Sequence, residues 1–452
     1  MLIICTVGGD RFMSTRTLRH NDTSSFVALR KAGGYITGSD YIQRLPIATN
    51  AEPGGKNNVA DGTAMLRTQN NKDIISVIGG AFCLIRTVTL NPASASNSRL
   101  PTTVFRYSYP AYPSSKIPYN TTYPLTTPVT YANGSIDFRV AIIADQDLLA
   151  RDKKVQSSFT SYLKSGTFTI HAGWTGGMIV WDEGDESAEE AKRIAAENGQ
   201  VIQSEFGFGS RGMELSSIVT FNGKLYVSDD KTGIVFHLIN HTVVPWVILA
   251  DGDGTKPKGF KCEWSIVKDQ KLYVGSHSAD IKLPHADGPS VEAPQRWVKR
   301  ISKEGFIEHL NWNPLYQALE NHLGIKPPGY VMHEAVLWSE RLRKWYFLPR
   351  QINPQNYTEE RHPYTCNNVM IVVSEDFSEF KNVSIGEPNP LFGFTSARFV
   401  PGTDETVVVA LRIMEVDDLF SSRIVVFNIN GSILLVEEEI LEGLKYEGLE
   451  FV

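Results

Sequence analysis

The chain has 452 residues, of which 42% are hydrophobic, and a net charge of −6. This length allows a domain with a large core. The acidic balance argues against nucleic acid as a partner, because the surfaces that bind nucleic acid are usually basic.

The region before residue 119 differs from the rest. Residues 1–64 show little periodicity, and we predict that they are disordered or an extension that the mature protein lacks. Residues 65–95 have the layout of a secretory signal peptide: a basic, polar lead, an apolar run from Ile74 to Ile85, and small residues up to Ala95. A signal anchor near 74–90 or a buried core helix are the alternatives. Residues 96–118 are predicted to be a linker.

A hairpin pattern recurs through the rest of the chain. In its clearest copy, from Arg211 to Asp230, the turn Asn222-Gly223 joins two apolar strands. Asn-Gly favours a two-residue hairpin turn because both central residues need positive φ. In each copy a polar residue stands at the start of the first apolar strand. The intervals between these polar residues range from 47 to 71 residues. We call these five residues the openers: Ser216, Glu263, Glu334, Ser396 and Glu447.

Repeats of about 40–50 residues with loop insertions are typical of propeller blades. We therefore predict an all-β fold, a β-propeller whose strands run from about Ile136 to the C-terminus and whose repeats carry five openers. The last copy, at 447–452, holds a first strand only. Pairing it with the apolar stretch Phe138–Asp145 would close the ring and remove free sheet edges. The alternative is a β-sandwich whose hairpins resemble one another only because all hairpins share a similar sequence pattern.

The openers of a propeller would lie near the central channel. Three carboxylates that converge there repel one another unless a cation joins them. Ca²⁺ takes six to eight oxygen ligands in flexible geometry, and the absence of His and Cys among the openers argues against zinc. The pattern therefore predicts a Ca²⁺ site. The alternative is that the openers merely begin strands and face solvent.

The second strands also end in polar residues, which should lie at one rim of the propeller. Acids and arginines near a metal suit phosphate chemistry, because the cations hold oxygens while an acid positions water. Taken singly, each of these residues also fits a solvated turn. They are Asp145, Asp147, Asp229, Asp230, His277, Arg350 and Arg412.

Glycosylation sequons agree with a secretory location. The motif Asn-x-Ser/Thr begins at six positions of the globular part and at Asn21 before it. The six sequons are Asn120, Asn133, Asn240, Asn356, Asn382 and Asn430.

Two further features of the globular part leave local predictions. Cys262 and Cys366 either form a disulfide or are two buried thiols. A helical stretch at 186–197 is polar nearly all round and is predicted to be a surface insertion.

Ordered motifs from about Tyr119 to Val452 resemble one family. They include Ala141-Ile-Ile-Ala-Asp-x-Asp147, Arg211-Gly-Met-Glu-Leu-Ser216, Asp251-Gly-Asp-Gly-Thr255 and Lys445-Tyr-Glu-Gly448. On these residues the chain resembles the calcium-activated nucleotidases, the soluble apyrases. The resemblance implies a five-bladed propeller with one central Ca²⁺. It also implies hydrolysis of nucleoside di- and triphosphates, such as UDP, GDP, ADP and ATP, to the monophosphate and phosphate.

The resemblance also implies roles for individual residues. The calcium ligands of the family fall on the five openers, and a sixth family position, an Asp, is Ser217 here. Asp147 matches a family acid needed for activity, and Asp145 or Asp147 is expected to orient or deprotonate water. Arg211, Asp229 and Arg350 are the predicted substrate-binding residues.

Three functional hypotheses remain from the sequence. The first is a calcium-dependent nucleotidase in the secretory pathway, either secreted or in the Golgi or ER lumen. The second is another calcium-dependent propeller hydrolase, although such sites usually add Asn and His ligands. The third is a non-catalytic calcium-binding propeller.

Overall fold

The computed structural model describes residues 118–151, 158–182, 199–279, 294–417 and 419–452, and the backbones of six short strands nearer the N-terminus. The chain divides into two compact units, Met1–Ser108 and Tyr109–Val452. In the first unit the strands form two three-stranded antiparallel sheets, β1-β2-β3 and β4-β5-β6. They are β1 (Leu2–Val7), β2 (Asp10–Thr15), β3 (Arg30–Lys31), β4 (Ala64–Arg67), β5 (Asp73–Ile78) and β6 (Ala81–Arg86).

Several predictions depend on residues or side chains outside this description. They are the extension at 1–64, the signal peptide or anchor at 65–95, the linker at 96–118 and the helical insertion at 186–197, and all four stay predictions. Among the helices of the described residues, none has the length and apolar character needed to cross a membrane.

The second unit consists of five antiparallel sheets arranged as the blades of a β-propeller. Blade 1 contains β7 (Val129–Thr130), β8 (Ile136–Ala144), β9 (Phe159–Ile170), β10 (Gly177–Trp181) and β11 (Gln200–Ser204). Blade 2 contains β12 (Leu215–Phe221), β13 (Lys224–Asp229), β14 (Ile234–Ile239) and β15 (Thr242–Ile248). Blade 3 contains β16 (Trp264–Lys268), β17 (Lys271–Gly275), β18 (Trp297–Ile301) and β19 (Ile307–Asn311). Blade 4 contains β20 (Tyr330–Ser339), β21 (Lys344–Asn353), β22 (Val369–Ser374) and β23 (Phe380–Ser384). Blade 5 contains β24 (Gly393–Phe399), β25 (Val407–Val416), β26 (Leu419–Asn428) and β27 (Ile433–Glu442).

The C-terminal strand β28 (Tyr446–Phe451) completes blade 1 from the other end of the chain. It pairs antiparallel with β8, in a register that sets Tyr446 opposite Ala144 and Phe451 opposite Val140. The first strands of the blades, β28, β12, β16, β20 and β24, each contact the next and close a ring. The predicted five-bladed propeller and its closing strand pair are therefore confirmed.

Local turn chemistry sets the register of the inner hairpins. In blade 2, Asn222 and Gly223 have φ of 52° and 67°, and Phe221 pairs with Lys224 across them, as the Asn-Gly motif predicts. The inner strand β12 is buried along its whole length. Such strands are buried because neighbouring blades pack face to face: Ile218 of blade 2, for example, lies in one apolar cluster with Ile143 of blade 1.

One α-helix, α1 (Asn313–His322), connects blades 3 and 4, and the sequence analysis did not predict it. Pro314 lies in its first turn, where the missing N–H costs nothing. Tyr316 and Leu319 are buried, and Glu320 pairs with Arg296 at 2.6 Å. The helix therefore covers the space between two blades.

The two cysteines of the propeller are free thiols. Cys262 is buried, and its Sγ lies 3.5 Å from the carbonyl oxygen of Phe260. Cys366 is partly exposed and adjoins β21 through a bridge to Gln351. The sequence left a disulfide between these cysteines or two thiols as alternatives, and in the structure both residues are thiols.

Candidate active site at the channel mouth

Irregular strand pairing positions the openers. A β-bulge leaves one residue of β12, β20, β24 and β28 without an opposite residue on the paired strand. These residues are Ser216, Glu334, Thr395 and Glu447. Bulges re-aim side chains and are common beside active sites. Glu263 of blade 3 directly precedes β16, and its N–H donates to the carbonyl of Gly275 at 2.8 Å.

Blade 5 differs from the pattern that the sequence predicts. Its bulge residue is Thr395, while the opener Ser396 pairs with Leu411 one step further along the strand. The Ser396 Oγ accepts the N–H of Leu449 at 3.0 Å. Ser396 nevertheless lines the same small space in the channel as Ser217, Glu263 and Glu334.

The structure buries the three acidic openers and brings them together. Glu263, Glu334 and Glu447 are each at most 4% exposed. Burial raises the pKa of Glu334 to about 7, against the opposing charge of Arg350, and Glu263 adds to the rise. Burial also raises the pKa of Glu447 well above its usual value, with Asp145 and Glu334 contributing. The three carboxylates therefore lie within electrostatic reach of one another and away from solvent.

Three cations contact the acidic openers. Lys261 and Lys445 also contact a second group of acids, whereas Arg350 also contacts Glu415. The Lys261 Nζ lies 2.6 Å from Glu263 and also contacts Asp230. The Lys445 Nζ lies 3.4 Å from Glu447, 3.3 Å from Asp145 and 2.5 Å from Asp147. The Arg350 guanidinium lies 3.0 Å from Glu334 and 3.5 Å from Glu447, and its other side contacts Glu415.

The second group is a buried acidic triad of Asp145, Glu214 and Asp230. Each offers a carboxylate oxygen within 4.8 Å of the other two. Burial raises the pKa of Asp145 to about 7 and that of Glu214 to about 8. Acids crowded in this way hold protons at neutral pH unless a cation replaces them.

Asp147 sits where this cluster meets solvent. It begins a short 3₁₀ turn, Asp147–Ala150, with an unusual positive φ of 47°. Its side chain is 40% exposed, and Arg211 lies 3.0 Å away. Burial alone would raise the pKa of Asp147, but Lys445, Lys261 and Arg211 together lower it. Asp147 is therefore an ionised carboxylate held on the rim by cations.

Asp229 has a different position from the one predicted for a substrate-binding residue. Its side chain is fully buried, and its carboxylate accepts the N–H groups of Met213, Lys231 and Thr232 at 2.8, 2.8 and 3.1 Å. These bonds fix the turn after β13. The next residue, Asp230, is the one that joins the acidic triad.

The sequence analysis missed Glu214, Lys261, Lys445 and Glu415. Glu214, Lys261 and Lys445 each stand two residues before an opener. Residues two apart on a strand point to the same face, so this spacing was a signal that could have found them. Glu415 carries no comparable signal, because it reaches the site only through its contact with Arg350.

The donor set fits a hard divalent cation. The hydroxyl groups of Ser216 and Ser217 are buried and have no hydrogen-bond partner in the part of the chain that the structure describes. A buried hydroxyl without a partner costs free energy that a ligand recovers. Together with the acids they form an all-oxygen set, which calcium and magnesium prefer. The fold and the site thus define a β-propeller whose channel mouth can hold a metal ion.

Comparison with known proteins places the chain in a family. Residues 146–452 match the apyrase family. Soluble calcium-activated nucleotidase 1 of Rattus norvegicus is 37% identical over 334 residues, covering 74% of this chain and 78% of the relative. An apyrase of Cimex lectularius is 36% identical and covers 74% and 87%, and apyrase apy-1 of Caenorhabditis elegans is 34% identical and covers 71% and 86%. The chain belongs to the apyrase family, and the family predicted from the sequence motifs is confirmed.

Proposed function

We propose that the protein is a calcium-dependent nucleotide phosphohydrolase that converts nucleoside di- and triphosphates to the monophosphate and phosphate. Membership of the apyrase family supports the class of reaction. The observation that carries the mechanism is the burial of Glu263, Glu334 and Glu447 together at the channel mouth, next to Arg350 and Lys445. Acids and cations crowded together in this way suit a metal and a polyphosphate.

The calcium would be held by Ser216, Ser217, Glu263, Glu334, Ser396 and Glu447. Calcium bound there supplies positive charge that offsets the charge developing on the phosphate oxygens. Arg350, Lys445 and Arg211 lie on the same rim and would bind phosphate oxygens directly, since each is held in place by neighbouring acids. These cations position the terminal phosphate for in-line attack.

Two acids share the handling of the attacking water. Asp147 is ionised and partly exposed, so it accepts a hydrogen bond from the water and orients it. Asp145 would be the better proton acceptor, because burial raises its pKa whereas the neighbouring cations lower the pKa of Asp147. The Asp147 N–H donates to Asp145 at 2.7 Å, which keeps the two carboxyl groups adjacent.

A phosphate-release assay tests this function. UDP, GDP, ADP and ATP are incubated with the protein in calcium and then in excess chelator, and lactone and phosphotriester substrates are run in parallel. We expect phosphate from the nucleotides in calcium and none with chelator. Turnover of the lactone or phosphotriester alone would favour another propeller hydrolase, and calcium binding without any turnover would favour a binding protein.

The same proposal places the protein in the secretory pathway. The asparagines of all six sequons in the described part are exposed, as glycosylation requires. Treatment of the protein from eukaryotic cells with an N-glycosidase should reduce its apparent mass. Mass spectrometry of the native N-terminus would distinguish cleavage near Ala95 from a retained anchor near 74–90, and would show whether residues 1–64 are retained.

A further inference from the structure

A nucleotidase has to contact the base or leave it in solvent, and the rim of blade 4 offers a contact surface. The segment between β21 and β22 lies over this rim. The Gln351 side chain donates to the carbonyl of His362 at 2.9 Å. Gln351 follows Arg350 in the chain, so the segment adjoins the guanidinium that reaches into the acidic cluster.

Three rings form a cluster in this segment and at the start of β20. Tyr357 lies 4.7 Å from His362 between ring centroids and 6.2 Å from Tyr330. The Tyr330 hydroxyl and the His362 Nδ1 are 2.9 Å apart. Tyr330 is buried, whereas Tyr357 is partly exposed. Tyr330 therefore supports Tyr357 from the interior, while Tyr357 and His362 are both partly exposed and within reach of a flat ligand.

A carboxylate lies on the neighbouring strand β25, which contacts the 3₁₀ turn His362–Tyr364 of this segment. The Glu415 side chain is 38% exposed and is held at 2.5 Å by the Arg350 guanidinium, whose other side contacts Glu334 and Glu447. The charge of Glu415 is felt by both Tyr357 and His362. Arg350 thus connects the buried acids of the channel to a pair of groups, a ring and a carboxylate, on the outer rim.

A second apolar group on the rim lacks this combination. Leu148, Leu149 and Phe208 are exposed beside Asp147 and Arg211. They offer apolar surface, but the polar groups next to them are already assigned to the water and the phosphate. A site that selects one nucleobase needs both a surface for its π face and hydrogen-bond partners for its edge.

We propose that Tyr357 and Glu415 form the nucleobase subsite, a proposal that rests on the proposed hydrolysis of nucleotides. The base stacks on the Tyr357 ring, and the Glu415 carboxylate accepts hydrogen bonds from the N–H groups of its edge. Guanine presents two adjacent donors, N1–H and N2–H, to such a carboxylate. Adenine presents the acceptor N1 in the same place, so the subsite favours guanine over adenine.

The first test separates base binding from catalysis. In Tyr357→Ala we expect the KM for GDP to rise about fivefold to a hundredfold, with kcat within about twofold, because stacking holds the base in the ground state and the transition state alike. Tyr357→Phe should restore the KM. Inhibition by pyrophosphate, which has no base, should be the same in all three proteins.

The second test addresses the edge of the base. In Glu415→Gln the ratio of kcat/KM for GDP over ADP should fall at least about fivefold. The ratio cancels any effect of the substitution on Arg350, because both substrates carry the same phosphates. Tyr131→Ala serves as the control, since Tyr131 is exposed and bonds to Asp137 at the opposite end of blade 1.

The outcomes distinguish this proposal from the function on which it rests. If the wild type releases phosphate in calcium but Tyr357→Ala keeps its KM, the subsite proposal is wrong while the function stands. A raised KM in Phe208→Ala with Tyr357→Ala unchanged would move the base to the other side of the rim. No phosphate from any nucleotide with the wild type would contradict the proposed function itself.

Discussion

Two regions of the central channel differ in how their charges are balanced. At the mouth, buried or partly buried acids outnumber the cations Arg211, Lys261, Arg350 and Lys445 among the described residues. Further along the channel, the buried Arg398 and Glu450 form a matched pair at 2.9 Å. In a one-to-one ion pair each charge is neutralised by its partner, whereas a surplus of acids needs a ligand to neutralise its charge. The matched pair therefore serves the stability of the ring, and the surplus of acids at the mouth suits ligand binding and chemistry.

The hydrogen bonds around the Arg398–Glu450 pair support this contrast. Glu450 accepts the hydroxyl of Tyr123 and the N–H of Thr220 at 2.9 and 3.0 Å, in addition to Arg398. Arg398 donates to the carbonyls of Ala397 and Ile218. These bonds join the inner strands of blades 2 and 5 to β28. The pair therefore ties the ring together where the C-terminal strand closes it.

The largest effect should come from the mouth. Asp147→Asn keeps the shape of the side chain and removes the charge that Arg211 and Lys445 hold. We expect phosphate release to fall about 10²- to 10⁴-fold, with Tm changed by only about 3 °C. The control is Asp182→Asn, which removes an exposed partner of Arg139. Near-normal turnover of Asp147→Asn would exclude Asp147 from the reaction.

The opposite result is expected for the Arg398–Glu450 pair. Glu450→Ala leaves Arg398 as a buried charge without its partner, and we expect a loss of about 3–5 kcal/mol in the free energy of unfolding. The kcat of the folded fraction should stay within about twofold. Glu308→Ala, which breaks an exposed pair with Arg300, should cost at most about 1 kcal/mol. A large fall in kcat for Glu450→Ala at unchanged stability would contradict the assignment of stability to this pair and of chemistry to the mouth.

Much of this fold could be predicted from the sequence, because it depends on signals that are local in the chain. The Asn222-Gly223 turn and the repeated openers predict the inner hairpins, and the lone strand at the C-terminus predicts how the ring closes. The helix Asn313–His322 was missed, although Pro314 and the apolar residues that follow it carry the usual signs of a helix. The sequence analysis concentrated on the period of the strands and overlooked it.

The site was less predictable, because pairing between strands decides it. The sequence cannot show that a bulge at Thr395 shifts blade 5 by one residue relative to the other blades. Nor does it show that the Asp229 carboxylate accepts three backbone hydrogen bonds while Asp230 belongs to the acidic triad. Both facts depend on the register of paired strands and on turn geometry, which residue types alone do not specify.

The buried acids at the mouth should also make the stability of the protein depend on pH. Burial raises the pKa of Asp145 and Glu334 to about 7 and that of Glu214 to about 8. The folded protein then binds protons that the unfolded chain has released, so these groups stabilise at low pH and the stability is lost as pH rises. The buried His277 and His333, with pKa lowered to about 3, act in the opposite direction, but only below the unfolded histidine pKa of about 6.5.

We therefore expect the Tm of the protein in chelator to fall between about pH 6.5 and 8. Saturating calcium should flatten this slope, because the cation takes the place of the protons. Thermal unfolding measured by circular dichroism in both conditions provides the test, and Glu334→Gln should reduce the slope in chelator. A Tm that rises with pH in chelator would contradict the charge surplus at the mouth.

The smallest effect concerns Ser217, which the sequence resemblance predicts to stand in place of a carboxylate of the family. Its Oγ is buried without a partner among the described residues. Ser217→Asp adds one negative ligand, and calcium affinity follows the charge of the ligand set. We expect the calcium concentration at half-maximal thermal stabilisation to fall about tenfold, which is equivalent to about 1.4 kcal/mol. In chelator the same variant should be less stable than the wild type, because it buries a further acid beside Glu263 and Glu334. Ser217→Ala is the control, since it adds no charge. If Ser217→Asp destabilises the protein equally with and without calcium, Ser217 lies outside the metal site and the surplus of acids at the mouth has another purpose.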